Sequence, residues 1–171
     1  MNHEQAHLFA MHLFSLARLG LTDESALLGL TVDAMHDYAF LLINSIQALD
    51  GTLVVALVYL ERLFACVPEC KLTALNYESL ILSAILLASK VWDDYSCINR
   101  SVAKALSFEL EDVNKWERAF LKAIGYNVQC TLVDFQAAVT KLFAQQALRE
   151  PAPASTNLPR PRRATVSIRA A

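Results

Sequence analysis

Apolar residues recur at three- and four-residue intervals from near the start of the chain to about Leu148, the period of helices that bury one face. The pattern predicts helices over about 3–19, 32–48, 52–66, 76–91, 99–106, 110–124 and 132–148, with a short turn or helix near 23–29. Glycines stand where helices should stop, at Gly20, Gly51 and Gly125. Capping side chains stand where helices should start, at Thr22, Thr31, Asn76, Asn99 and Thr131, the last with Asp134 three residues on. Two segments, "LVVALVYL" (53–60) and "LILSAILLAS" (80–89), are apolar nearly all round, which suits helices enclosed by others. The pattern alone predicts an all-α fold of five helices, one of them buried at the centre, with a further helix at each end of the chain.

Composition agrees with this. Among 171 residues there are 4 glycines and 5 prolines, too few for a strand-and-turn architecture, and a hydrophobic content of 55% supplies the core of one domain. The expected division is an N-terminal helical extension over 1–30, a main helical domain over 31–148 and a tail over 149–171. That tail, "REPAPASTNLPRPRRATVSIRAA", is rich in Pro, Ala and Arg, lacks an apolar period and reads as disordered. It sets Arg149, Arg160, Arg162, Arg163 and Arg169 against Glu150, about +4, and leaves about −6 on the remainder of a chain of net charge −2.

These features also exclude function classes. Nothing in the global charge points to nucleic acid. The opening residues include an acid and no basic region, so no secretory signal is expected. No apolar run approaches the ~20 residues that span a bilayer, so no integral membrane association is expected. Cys66, Cys70, Cys97 and Cys130 lack the spacing of a disulfide framework, which points to reduced thiols in the cytoplasm, the nucleus or both. No nucleophile–base set, Gly-rich phosphate loop or metal cluster is readable, so neither an enzyme nor a cofactor is expected. His3 and His7 share a helix turn with Glu4 but have no evident third ligand, and Cys66 and Cys70 straddle a proline without a second pair.

Two charged positions stand out. Lys90 ends the oily run "ILSAILLASKVWDD". A cation there complements the helix dipole, worth ~0.3–1 kcal/mol, and that is one explanation. In "EDVNKWERAFLKAIGYNV", Lys115, Arg118 and Lys122 fall opposite the apolar stripe of Val113, Trp116, Phe120 and Ile124, but Glu117 falls at the stripe's edge. A carboxylate facing packed apolar groups costs several kcal/mol unless it is paired, so Glu117 either reaches water at the rim, pairs internally or meets a partner. If the two faces meet, the lysine can donate to a carbonyl and the glutamate can accept from an amide of an incoming helix.

The stretch "TLVVALVYLERLFACVPECKLTALNYESLILSAILLASKVWDDYSCINRSVAKAL", followed by "LEDVNKWERAFLKAIGYNV", resembles a cyclin box over roughly 31–135, most closely in the cyclin Y and phosphate-pathway (P/U-type) branch. "ILLASKVWDD" is the most specific match. The resemblance implies a single five-helix cyclin box and a regulatory subunit that forms a heterodimer with a cyclin-dependent protein kinase. Such a subunit pushes the kinase's αC helix inward, completing the kinase's Lys–Glu ion pair and freeing its activation segment. It further implies that Lys90 and Glu117 hold the kinase helix, with Leu87, Val91 and Leu121 as apolar neighbours. Asp93 and Asp94, next to Trp92, are either an acidic patch that meets a basic kinase activation segment or a solvated loop cap. The alternative is a cyclin-fold scaffold that binds another protein without activating a kinase. In "MHDYAFL" (35–41), His36 stands where many cyclins have the arginine of a substrate-docking patch, and Leu41 stands where the branch usually has an arginine to pair with Glu61. In the tail, "RPRRATVS" resembles a site for basophilic kinases, with Thr165 as acceptor.

Overall fold

The computed structural model describes residues 3–19, 29–49, 51–95 and 98–149. The turn expected near 23–29 falls almost wholly outside them, as do Thr22, Cys97 and the tail with Thr165. Within the described residues all regular structure is helical: α1 (His3–Leu19), α2 (Val32–Ile46), α3 (Thr52–Cys66), α4 (Tyr77–Trp92), α5 (Asn99–Leu106), α6 (Leu110–Ala123) and α7 (Leu132–Arg149). The all-α expectation therefore holds.

The α4 helix is the hub. It packs against α2, α3 and α6, while α1 lies across α2, α3 and α7. Every residue from Ile81 to Ser89 is buried, as the absence of a polar face requires. Fully burying one Leu or Ile contributes roughly 1.5–3 kcal/mol, so α4, with Ile81, Leu82, Ile85, Leu86 and Leu87 buried, is a large apolar contributor to the core. Ser83 tolerates burial because its hydroxyl donates back to the Ser79 carbonyl.

Helix ends follow the expected chemistry in part. Thr31 caps α2, accepting from the Ala34 N–H. Thr131 and Asp134 cap α7 reciprocally, each side chain accepting from the other's backbone N–H. The Thr131 N–H and hydroxyl hold the Asp134 carboxyl below its ordinary value. Gly125 follows α6 in the left-handed region, with φ +62°, which a glycine adopts without steric cost. Gly51 differs from expectation: α2 stops earlier, at Gln47, whose own φ is 53°. Gly51 instead precedes α3 with φ −74°, and its backbone lies against the Trp92 indole. Asn76 also departs, because its side chain makes no cap bond. It pins the preceding loop instead, accepting from the Thr73 N–H and donating to the Lys71 carbonyl.

Two polar networks lock distant segments together. The Tyr59 hydroxyl donates to the Val128 carbonyl at 2.6 Å, and Arg62 donates to the carbonyls of Asn127 and Gln129, so α3 fixes the loop entering α7. Burial pushes the Tyr59 hydroxyl up to about 12. Glu61, expected to lack its partner because Leu41 replaces an arginine, has two others. His12 of α1 lies 3.1 Å from one carboxylate oxygen and Lys141 of α7 donates to the other at 2.6 Å. Burial alone would raise the Glu61 carboxyl, but these bonds outweigh it and hold it below its ordinary value.

Candidate recognition ledge

The α4 and α6 helices pack side by side, and their contact brings Lys90 to Glu117 across 27 positions of sequence. Lys90 Nζ donates to Glu117 Oε1 at 2.5 Å. The two side chains are 29% and 12% exposed, so the pair sits at the rim of the core with one side open to water. The second carboxylate oxygen accepts from Asn99 Nδ2 at 2.7 Å, and the same amide donates to Asn114 Oδ1 at 2.8 Å. The α4, α5 and α6 helices thus each contribute to one polar cluster. After these bonds Lys90 keeps two of its three donors, and Glu117 keeps about half its lone-pair capacity. The pair is neutral as a whole, yet it retains both a donor and an acceptor for a further partner.

Beside the cluster the α4 C-terminus exposes apolar surface. Val91 is 48% exposed and Trp92 44%, and farther along the chain Tyr95 and Ile98 are exposed as well. Leu121 is half-buried beside the α6 face. Leu87 is placed differently from the other expected contact residues: it is only 5% exposed, because α4 is enclosed up to Ser89, and it supports the ledge as packing rather than as surface. Trp92 lies flat on Phe135 of α7, with ring centres 5.5 Å apart and planes 11° from parallel. Asp93 is tied to the start of α3, accepting from the Thr52 hydroxyl at 2.6 Å, whereas Asp94 is exposed. Ser89 Oγ, Asp93 Oδ2 and Asn99 Oδ1 are buried without a hydrogen-bond partner among the described residues. Of these three atoms, Asn99 Oδ1 belongs to the polar cluster around Glu117, and Asp93 lies on the α3 side.

Sequence reasoning treats Asn99 as a helix cap, a common role for asparagine. The residue before α5 is Ile98, and Asn99 is the first helical residue, with its side chain turned to Glu117. The one available signal is the helical spacing of Asn114 and Glu117, three residues apart and therefore on one face.

The other chemistry-bearing residues lie elsewhere. His3 Nδ1 is 3.0 Å from His36 Nε2, and His3 also stacks on Phe40, so α1 covers the α2 stretch that contains His36. His36 packs by its ring against His3 and edge-on to His7. Among the described residues no group of three His, Cys, Asp or Glu is arranged to hold a metal ion. Cys66, Cys70 and Cys130 are free thiols, and burial pushes Cys70 and Cys130 up. No described helix is long and apolar enough to cross a membrane.

Helices α2 to α6 wrapped on a buried α4, with a paired charge where α4 meets α6, have the arrangement of a cyclin box. A family model described as Cyclin matches residues 34–128, more than half the chain, and the protein belongs to the cyclin family. Among curated proteins it is similar to Cyclin-U2-2 of Arabidopsis thaliana, 32% identical over 84 residues, covering 49% of this chain and 36% of that protein. It is also similar to Cyclin-U4-2 of the same plant, 27% identical over 100 residues, covering 58% of this chain and 46% of that protein. The chain thus spans less than half the length of these relatives. Both of these relatives are U-type cyclins by name, so the likeness is to the P/U-type branch of the family.

Proposed function

We propose that the protein binds a cyclin-dependent protein kinase of the type served by cyclin Y and phosphate-pathway cyclins and stabilises its active state. The observation that supports this most is the Lys90–Glu117 pair, 2.5 Å apart at the end of α4, where the next two residues, Val91 and Trp92, are exposed. A charge pair that only closed a core would have little reason to border an open apolar patch. Exposed apolar patches rimmed by polar groups mark interfaces. A kinase helix laid on this patch buries Val91 and Trp92. Its main-chain groups take the donors that Lys90 retains and the acceptors that Glu117 retains. The helix is thereby held in its inward position, where the kinase's own Lys–Glu pair forms. Asp94, exposed at the α4 end, is available to a basic activation segment.

Such a complex would form in the cytoplasm or nucleus. Addition of phosphate at Thr165 would add up to about −2 to the basic tail. The altered α2 patch, with His36 packed against His3, favours a subunit that does not dock substrates there. The experiment is affinity capture from the native cell with the full chain, followed by a protein kinase assay on the eluate. A captured cyclin-dependent kinase with activity that requires the chain is the expected result. A captured kinase whose activity is indifferent to the chain would favour a scaffold, and no captured kinase would overturn the proposal.

A further inference from the structure

We infer that Asn99 is a positioning residue of the ledge, holding the Glu117 carboxylate in the orientation that meets a docking helix. The inference rests on the reading of the ledge given under Proposed function. Glu117 is held from two sides: Lys90 of α4 donates to Oε1 and Asn99 of α5 donates to Oε2. A lysine alone is a point charge about which a carboxylate can turn. The second bond, from a different helix, removes that freedom.

The geometry of Asn99 argues that this is its purpose. Both of its amide hydrogens are spent on α6, one on Glu117 Oε2 and one on Asn114 Oδ1. Reversing the amide would turn its carbonyl oxygen toward two acceptors, so the orientation is set by its neighbours. That orientation leaves Asn99 Oδ1 buried and without a partner. A buried, unpaired carbonyl destabilises a fold, which offsets part of what the two donated bonds contribute to it. Nor does Asn99 cap α5, since the residue at the cap is Ile98. The fold alone therefore gains little from asparagine here, whereas a fixed Glu117 rotamer spares the ordering cost when a partner arrives.

The test is a double-mutant cycle on the full chain, with affinity measured against the recombinant cyclin-dependent kinase that the chain captures. Asn99→Ala and Asn99→Leu are each made alone and in the Glu117→Ala background, and thermal unfolding is followed for all. Alone, each should weaken kinase binding about five- to tenfold while the unfolding temperature falls by no more than a few degrees, the effect of withdrawing one donor from Glu117 and Asn114. In the Glu117→Ala background the same changes should shift affinity less than about twofold, because the group they position is gone. An equal effect in both backgrounds, or a loss of affinity that only follows a loss of stability, would assign Asn99 a structural role and overturn the inference. If Glu117→Ala weakens binding and Asn99→Ala does not, the inference fails and the ledge stands. If Glu117→Ala binds like the wild type, both fail.

Discussion

Replacing Lys90 by methionine and Glu117 by leucine, separately and together, separates what the pair does for the fold from what it does for a partner. The two single changes are unequal. Glu117 is 12% exposed, so Lys90→Met leaves a carboxylate that keeps only the Asn99 donor and has little access to water. A buried group losing one charged partner costs about 1–3 kcal/mol, which for a protein of this size lowers the unfolding temperature by roughly 2–4 °C per kcal/mol. Lys90, at 29% exposure, has a flexible stem and can carry its ammonium outward after Glu117→Leu, so that change should cost no more than about 1 kcal/mol. The double variant replaces a part-buried pair with apolar groups and should be as stable as the wild type or more so, because such replacements are neutral to stabilising by about 1–4 kcal/mol. The assay is urea and thermal unfolding by circular dichroism at 222 nm. Kinase capture should be lost in the double variant despite its stability. A Lys90→Met protein as stable as the wild type, or a double variant destabilised by the sum of the singles, would refute the reasoning.

Two further predictions test the surroundings. Glu61 has a folded value below its ordinary 4.5, so its contribution is complete above that pH and is lost as pH falls through the folded value. Glu61→Gln should flatten this acid limb and cost about 1–3 kcal/mol at neutral pH by weakening the ties to His12 and Lys141, as read by urea unfolding at about pH 7, 5 and 3.5. A Cβ at Gly51 would lie 2.6 Å from Trp92 Nε1, so Gly51→Ala should displace the indole from Phe135. The expected signs are a shifted tryptophan fluorescence maximum, a loss of about 1–3 kcal/mol and weaker kinase binding, since Trp92 borders the ledge.

The helices were legible because apolar period and burial are the same fact seen twice: "LILSAILLAS" has no polar face and α4 has no exposed one between Ile81 and Ser89. The proximity of Lys90 and Glu117 was legible only through the family resemblance, because periodicity assigns a face within one helix and is silent on which helices meet. That same silence hides the partners of Glu61, which come from α1 and α7, and the contact of Gly51 with Trp92. Leu87 looks equivalent to Val91 on a helical wheel, four residues away, yet enclosure by neighbouring helices buries one and leaves the other open. Asn99 was masked by its own residue type, since capping explains an asparagine at a helix start without any need for a partner across the fold. Gln47, ending α2 in a left-handed conformation, carried no signal because glycine is the usual residue there.

The most direct measurement is the dissociation constant of the captured cyclin-dependent kinase for the full chain and for its Lys90→Ala, Glu117→Ala variant, with helicity checked on both. An intact helical spectrum with binding weakened about a hundredfold or more is the predicted result. Equal affinity for the two proteins would contradict it.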